Sequence, residues 1–455
     1  MLPARQHPTS QHPVRQHPAA ERPAVAPAAL RLRRAALAVL WLAVLFNIAL
    51  AWVNAQLLPI GGTVVVAMQG MVMALALAVG LLHRRGGWRR WVGMLAAAAM
   101  LWLLLCVVRQ SIELRFLGDA VLIPAFALLG TCLAPRDLLR WLVAAQWVIG
   151  AGAAWELVQP ASFAGTFNVT GYYVNTRGLA ADSFWSEGGE GLFLNVERPT
   201  GRNLLPSTGF NRATSVFLEP VSLGNWTSVV LIVLVLWWGR MGRGTRALLI
   251  ASDLFLLFAC DGRFALVCAA GILLGLPFGR WAPRGWPLVY LPAMIATLFA
   301  LRAAELLPRG GDTFAGRLRK GVDYLGQLRL ADLLGAQPGA QVYANADAGW
   351  AYLLQSQSLI GFLAFWLLPV LMARERSSEL RRFANATAIY FALCMPISYS
   401  FVSIKTVAVV FALFGCLLAA AHRPVSATGL SGLPIHPRAG RARSQPPRAP
   451  RPAFG

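Results

Sequence analysis

The sequence predicts an all-α, polytopic integral membrane protein with about twelve transmembrane helices and two large outer loops, and two observations support this. Apolar residues make up 57% of the 455 positions, charged residues only 13%, and the mean hydropathy is +0.56. An ordinary soluble domain carries about 25% charged residues. Apolar runs near the length that crosses a bilayer also recur along the chain. Because lipid leaves unpaired backbone groups unsatisfied, these runs are expected to be helices.

Twelve apolar runs qualify as membrane spans by length and composition. They cover roughly residues 35–54, 63–82, 91–108, 116–134, 141–158, 220–238, 247–260, 264–278, 286–303, 347–371, 383–400 and 404–421. The sequence therefore predicts a transmembrane domain at 35–421, between an arm at 1–34 and a tail at 422–455. Both flanking segments are rich in proline and arginine and are expected to lack structure.

The formal net charge of +22 is distributed as in a membrane protein rather than a nucleic-acid-binding one. Basic residues gather in short loops between apolar runs and in the two flanking segments. This pattern orients membrane proteins with those loops in the cytoplasm. We therefore predict that both termini are cytoplasmic and that nucleic acid is not a partner.

Residues 247–278 decide the topology, because they fit either one long helix or two short ones that turn at Asp261-Gly262-Arg263. A single helix would bury Arg263 in the middle of the membrane, whereas a turn leaves it near the outer face. We therefore predict a hairpin. Two large loops, at about 159–219 and 304–346, then lie on the outer side.

Charged residues stand at the outer ends of the predicted spans. Arg212 and Glu219 bracket most of the segment RATSVFLEP, which leads directly into an apolar span. A charge so close to hydrocarbon is expensive unless it has a partner or a function. Arg263 and Asp347 repeat this arrangement. Together the four residues indicate a site for an anionic, lipid-linked substrate.

Four short stretches occur in order along these outer ends. They are RATSVFLEP (212–220), CDGRFAL (260–266), FAGRLRKGVDYL (314–325) and DAGWAYLLQSQSLIGFLAF (347–365). Their order and their spacing against the predicted spans resemble the bacterial O-antigen ligase and polysaccharide polymerase family. The resemblance covers roughly residues 100–420. It implies an active site between the two outer loops, at the periplasmic face of the inner membrane, where arginines hold the pyrophosphate of an undecaprenyl-linked sugar chain.

The chain departs from the ligases of that family at one position. Those ligases carry a histidine ahead of a GxxG on the following helix. Here Gly361 matches the second glycine, Ser358 replaces the first, and Asp347 stands where the histidine would be. The stretch from Trp155 to Gly178 looks more like the repeat-unit polymerases of xanthan-type exopolysaccharides. The resemblance therefore implies polymerisation of lipid-linked repeat units rather than ligation.

That chemistry suggests roles for the charged residues. Arg212, Arg263 and Arg317 are the candidate pyrophosphate ligands, because a guanidinium makes two parallel charge-assisted bonds to phosphate. Asp347 and Glu219 are the candidate catalytic residues, which would take the proton of the acceptor hydroxyl or orient it. Each also has a structural interpretation: Asp347 as a helix N-cap, and Glu219 as one half of a salt bridge with an arginine.

Three residues of the first outer loop, Arg177, Tyr172 and Tyr173, are candidate glycan contacts, with packing inside the loop as the alternative. The sequence has no acidic pair resembling a metal-binding DxD and no phosphate-binding glycine loop. The prediction is therefore a metal-independent glycosyltransferase without a cofactor. Its expected partners are the bilayer and the undecaprenyl-linked oligosaccharide, with a chain-length regulator and a flippase of the same pathway as further candidates.

Two other functions fit parts of the pattern. An O-antigen ligase would differ in transferring the glycan to a lipid acceptor, and the missing histidine counts against it. A secondary transporter is the alternative from a different class. Transporters usually have two similar halves with binding helices broken near the middle of the membrane, and this sequence shows no repeat of that kind.

Overall fold

The computed structural model describes residues 27–83, 87–178, 192, 202–205, 209–281, 283, 285–308, 313–344, 348–372 and 377–421. Within these ranges the regular structure is helical, which confirms the all-α prediction for this part of the chain. The helices are α1 (Pro27–Gln56), α2 (Gly62–His83), α3 (Trp88–Arg109), α4 (Leu114–Gly130), α5 (Pro135–Val158), α6 (Pro160–Phe167), α7 (Val169–Arg177), α8 (Pro220–Trp237), α9 (Arg243–Cys260), α10 (Arg263–Trp281), α11 (Tyr290–Ala303), α12 (Phe314–Gly326), α13 (Leu330–Leu333), α14 (Gly339–Ala344), α15 (Gly349–Met372), α16 (Ser378–Cys394) and α17 (Ile404–Ala421).

Among the described residues, eight helices are long and apolar enough to cross a membrane: α1, α2, α3, α5, α8, α11 with the turn before it, α15 and α17. This number of apolar helices makes the chain a multi-pass membrane protein. The other four predicted spans also fall on helices, namely α4, α9, α10 and α16. These helices are shorter or more polar, so the count of twelve spans stays a prediction.

One predicted boundary is wrong. Helix α1 begins at Pro27, so residues 27–34 are helical and do not belong to an unstructured arm. Their run of alanine, leucine and arginine consists of good helix formers, which explains the longer helix. The remainder of the arm and the tail at 422–455 lie outside the residues that the structure describes.

Helices α17 and α8 form the centre of the bundle, and most of each is buried. Helix α17 packs closely against α4 at two glycines. A Cβ added at Gly130 would lie 2.0 Å from the Ala412 carbonyl oxygen, and one at Gly415 would lie 1.8 Å from that of Ala127. Small residues allow this approach, which is typical of helix contacts in membranes.

The chain reverses direction between α9 and α10, at Asp261 (φ 46). Near the start of α8, a Cβ added at Gly224 would lie 3.1 Å from Ala265 Cβ and 3.7 Å from Cys260 Sγ. The end of α9 and the start of α10 therefore meet the same end of α8. This geometry confirms the predicted hairpin, which we call the DGR turn.

The described parts of the two long loops, at 159–219 and 304–346, lie with the DGR turn at one end of the bundle. The backbone N–H of Leu204 donates to the Asp261 carboxylate over 2.8 Å. Helix α10 packs antiparallel to α16. Gly271 lies nearest Leu393, whereas Gly275, one turn later in α10, lies nearest Ile389, one turn earlier in α16. The end of α16 therefore lies near the DGR turn, and Trp350 N–H, at the start of α15, donates to the Met395 carbonyl there over 3.0 Å. We call this the loop end.

Candidate functional site

The start of α8 presents a carboxylate surrounded by donors. The extended backbone of Glu219 precedes the helix, and its side chain makes no capping bond. The Tyr173 hydroxyl donates to Oε1 over 3.1 Å, and Ser222 Oγ donates to Oε2 over 2.8 Å. Arg177, at the end of α7, forms an ion pair with Oε1. Glu219 is therefore one half of a salt bridge with an arginine, which is the structural alternative that the sequence offered for this residue.

A buried lysine lies beside this carboxylate. Lys405, in the first turn of α17, is 5% exposed, and its Nζ donates to the Phe217 carbonyl over 2.8 Å. Burial alone would raise the pKa of Glu219, but the charges of Arg177 and Lys405 and the bond from Ser222 outweigh it and lower the pKa from 4.5 to about 2. Glu219 is therefore ionised at neutral pH and faces two cations. We call Glu219, Arg177, Tyr173, Ser222 and Lys405 the glutamate site.

The two tyrosines predicted as glycan contacts are interior residues. Tyr172 and Tyr173 are each 1% exposed, and the Tyr172 hydroxyl donates to Asn47 Oδ1 over 2.7 Å. Burial and then the charge of Glu219 raise the pKa of Tyr173 well above its ordinary value, so its hydroxyl remains a donor. Arg177 differs from both, because 43% of its side chain is exposed. Of these three residues, Arg177 alone is accessible to a ligand without rearrangement.

A second buried glutamate fixes the chain that leads into α8. Glu156 of α5 accepts hydrogen bonds from the backbone N–H groups of Thr214 and Ser215, each over 2.7 Å. Ser215 and Leu218 have positive φ values of 51 and 61, which side chains with a Cβ rarely adopt. The bonds to Glu156 help to hold this unfavourable backbone. They thereby fix the position of the RATSVFLEP segment.

The DGR turn collects two of the predicted pyrophosphate ligands. Arg212 is 7% exposed, and its Nε donates to the Cys260 carbonyl over 3.0 Å. Arg263 is half-buried at the start of α10. Its buried Nε has no hydrogen-bond partner among the residues that the structure describes. A buried donor without a partner is unfavourable, so Arg263 retains unused capacity to bind an anion.

The third predicted ligand, Arg317, is half-buried on α12. Two residues further on, Arg319 is buried and its Nε lies 3.2 Å from Asp323 Oδ2. Asp323 also pairs with Arg302 at the end of α11, over 2.7 Å. Helix α12 packs against α11 and α15, so Arg317 belongs to that part of the loop end.

The structure thus sorts the candidate residues into three places. Arg212 and Arg263 flank the DGR turn, the glutamate site lies where α7, α8 and α17 meet, and Arg317 lies on α12. Asp347 falls outside the residues that the structure describes, so both of its proposed roles stay predictions.

Helix α15 is broken at Ser358, whose backbone (φ 60, ψ 177) lies in a region that glycine alone occupies readily. Arg109, at the end of α3, supports the break. Its Nη2 donates to the carbonyls of Gln355 (2.6 Å) and Ser356 (2.8 Å), and its Nε donates to the carbonyl of Gly335 (2.5 Å). These bonds satisfy carbonyls at an irregular backbone, as a membrane helix requires. We call these five residues the α15 break.

A further polar cluster was not predicted from the sequence. The Tyr352 hydroxyl, on α15, donates to Asp119 Oδ2 on α4. The rings of Tyr352 and Tyr399 have centroids 4.7 Å apart. Arg115 Nη2 donates to the Tyr399 hydroxyl over 3.2 Å. We call Asp119, Tyr352, Tyr399 and Arg115 the aspartate cluster.

Two sequence signals could have identified the missed residues. Lys405 is one of two lysines in the chain and lies in an apolar run. Arg115 and Asp119 are four residues apart at the start of another. Ionisable residues within membrane spans are functional candidates by default.

Within the described part of the chain, no group of three or more histidine, cysteine, aspartate or glutamate residues could hold a metal ion. Comparison of the chain with protein-family models, with curated proteins and with solved structures finds no match. A function is therefore inferred from its own residues and geometry, together with the motif resemblance.

Proposed function

We propose that this chain is a polysaccharide polymerase of the bacterial inner membrane. It joins oligosaccharide repeat units carried on undecaprenyl pyrophosphate into an exopolysaccharide or O-antigen-type chain, at the periplasmic face. In this proposal the loop end is periplasmic, twelve helices cross the membrane, and both termini are cytoplasmic. The charge distribution of the short loops supports that orientation.

One observation carries the proposal: the four stretches that resemble the polymerase family meet in two pairs at the loop end, the first with the second and the third with the fourth. Arg212 of the first stretch bonds to Cys260 of the second over 3.0 Å. Trp350 Nε1 of the fourth stretch donates to the Gly321 carbonyl of the third over 3.0 Å. Both contacts lie at the loop end, beside helices that can span a bilayer. A lipid-linked substrate needs such a site, with its headgroup among polar loops and its lipid beside apolar helices.

The reaction requires cations more than a strong acid. A hydroxyl oxygen of the acceptor unit attacks the anomeric carbon of the donor chain, and the bond from that carbon to the pyrophosphate oxygen breaks. The pyrophosphate leaves with the bonding electron pair. Guanidinium groups stabilise the charge that develops there. Arg263 is the leading ligand because its Nε is buried without a partner among the described residues, and Arg212 and Arg317 are the further candidates.

Glu219 is better suited to positioning than to proton transfer. Its carboxylate accepts bonds from Tyr173, Ser222 and Arg177, and its pKa is held at about 2. A carboxylate with so low a pKa is a weak base at neutral pH. In the proposed enzyme Glu219 holds Arg177 and Lys405 in place, and Asp347 stays a candidate for the catalytic base.

A secondary transporter is the second candidate, and the α15 break is the observation that favours it. Broken helices in transporters leave carbonyls that coordinate ions and substrates. Here Arg109 occupies the carbonyls of Gln355 and Ser356. A bound cation would have to displace that guanidinium, which makes an ion site at the break less favourable. A ligase remains a variant of the first proposal that differs in its acceptor.

The test compares variants in the native host after deletion of the gene. We expect Arg263→Gln and Arg212→Ala to stop polymer growth, while lipid-linked single repeat units accumulate in membrane extracts. Lys320→Ala, an exposed cation on α12, is the matched control and should give wild-type chain lengths. Immunoblots of membranes establish that each variant is present in normal amounts. If cells with Arg263→Gln or Arg212→Ala make polymer of wild-type length at normal protein levels, the proposal is refuted and the transporter function is favoured.

A further inference from the structure

The aspartate cluster is a group of polar residues that the proposed reaction has not yet used. Asp119 lies on α4, one helical turn after Arg115, and both side chains are half-buried. Tyr352 reaches Asp119 from α15, and Tyr399 reaches Arg115 from the chain between α16 and α17. The cluster therefore joins segments that are far apart in the sequence, at the loop end of the bundle.

Tyr399 of the aspartate cluster also interacts electrostatically with a residue of the glutamate site. Tyr399 is half-buried and lies within electrostatic range of Arg177, the ion-pair partner of Glu219. Its ring also packs against Tyr352, which donates to Asp119. Tyr399 therefore connects to Asp119 through Tyr352 and acts electrostatically on Arg177, the ion-pair partner of Glu219.

These two carboxylates differ in how many of their hydrogen-bond acceptor positions are occupied. Glu219 accepts from three side chains and faces two cations. Asp119 accepts one hydrogen bond, from Tyr352, among the residues that the structure describes. An ionised carboxylate has about four acceptor positions, so most of those on Asp119 remain for another donor. A sugar hydroxyl is a donor of the kind that such acceptor positions bind.

The second outer loop fixes Tyr352 against Asp119. The break at Ser358 separates the first turns of α15, which contain Tyr352, from the rest of the helix. Gln355 in those turns donates its Nε2 to Asp332 Oδ1 over 2.9 Å. Arg109 links the same turns to Gly335 of the loop. The loop and Arg109 together set where the Tyr352 hydroxyl lies.

We propose that Asp119 binds the attacking hydroxyl of the acceptor repeat unit and takes its proton, with Tyr352 as a positioning residue. This inference rests on the proposed polymerase function. As the acceptor oxygen bonds to the anomeric carbon, its proton passes to an Asp119 carboxylate oxygen. The pyrophosphate leaves with the electron pair of the broken bond, and Asp119 returns the proton to solvent after the product moves away.

The experiment uses the full-length protein in lipid nanodiscs and lipid-linked repeat units extracted from cells that lack it. We expect Asp119→Asn to lower turnover about 100-fold or more, the scale of a lost general base. The KM for the lipid-linked unit should stay within a factor of about two, because the donor-binding arginines are intact. Asp119→Glu should recover part of the rate. Tyr352→Phe should lose about tenfold, the effect of one hydrogen bond.

A second arm separates proton transfer from a structural role. Asp119→Ala leaves a space in which added formate can act as the carboxylate, so formate should restore turnover in this variant and not in Arg263→Gln. Near-wild-type turnover in Asp119→Asn would refute the role of Asp119, and so would an Asp119→Ala variant that folds normally and gains nothing from formate. If the wild type polymerises repeat units in the same assay, either of these outcomes refutes the role of Asp119 and leaves the proposed function standing. If the wild type does not polymerise them, the proposed function itself is refuted.

Discussion

The start of α8 and the break in α15 both place a charged side chain at the edge of the apolar bundle, and they satisfy that charge differently. At α8, Glu219 is paired with charged and polar side chains, above all Arg177. At the break, Arg109 is paired with backbone carbonyls of Gln355, Ser356 and Gly335. Each arrangement answers the same requirement, because a charge beside hydrocarbon is unfavourable without compensation.

The difference shows what each charge does for the structure. Glu219 joins separate elements, and its loss would leave Arg177 and the buried Lys405 facing each other as like charges. Arg109 replaces hydrogen bonds that a regular helix would have made for itself, so its loss would leave carbonyls without donors. The first site is therefore expected to respond to pH, and the second to changes in backbone conformation.

The largest expected effect is at the α15 break. Arg109→Ala should lower the free energy of unfolding by about 3 kcal/mol or more, since bonds from a charged donor contribute about 1.5–3 kcal/mol each. Thermal unfolding of the purified protein in detergent measures the change. Arg89→Ala, at the exposed opposite end of the same helix, is the matched control and should change stability by less than about 0.5 kcal/mol. Equal effects of the two variants would mean that Arg109 does not support the break.

A smaller effect is expected at the glutamate site. Glu219→Gln should cost about 2 kcal/mol at pH 7, less than the loss of a fully buried pair, because Arg177 is 43% exposed. The lowered pKa of Glu219 means that its stabilising contribution is complete above about pH 4.5 and is lost as the pH falls toward 2. The difference in unfolding temperature between wild type and variant should therefore close across that window. A difference that stays constant from pH 7 to pH 2 would show that the charge of Glu219 contributes nothing.

The smallest effect has the opposite sign. Ser358→Gly should stabilise the protein by about 1 kcal/mol, because glycine adopts the backbone conformation of Ser358 without strain. Ser358→Ala keeps the strained Cβ but, like the glycine variant, removes the buried Oγ that has no hydrogen-bond partner among the described residues, so it is the control and should gain less. The comparison is again made by thermal unfolding. A glycine variant no more stable than the alanine variant would mean that the break carries no strain at this residue.

Much of the fold was predictable from local composition. Each predicted span falls on a helix, and the turn at Asp261 follows from the cost of burying Arg263. The start of α1 was missed because arginine within a helical run looks like the end of a span, although arginine is a good helix former. The break at Ser358 was also missed. Position 358 is a serine where the family pattern has a glycine, and a serine does not indicate that the backbone there has a conformation typical of glycine.

Individual residues of the candidate site were predictable from the sequence, but the contacts between them were not. Glu219 was identified as a charge near the membrane with either a catalytic role or a salt bridge, and the structure provides the salt bridge with Arg177. Glu156 forms another such pairing, with the backbone N–H groups of Thr214 and Ser215. Asp119 and Tyr352 were not identified, because 233 residues separate them and no local pattern joins them.

Local composition is enough to establish that this chain enters a bilayer as helices and that its charges concentrate at the ends of those helices. Both follow from the free energy of transferring side chains and backbone into lipid, which depends on each segment alone. Which charge meets which partner depends instead on how the helices pack. A buried charge needs a donor or acceptor within about 3 Å, and distant segments supply it once the helices pack. Arg109 with the α15 break, and Lys405 beside Glu219, are the two cases in which packing made that decision.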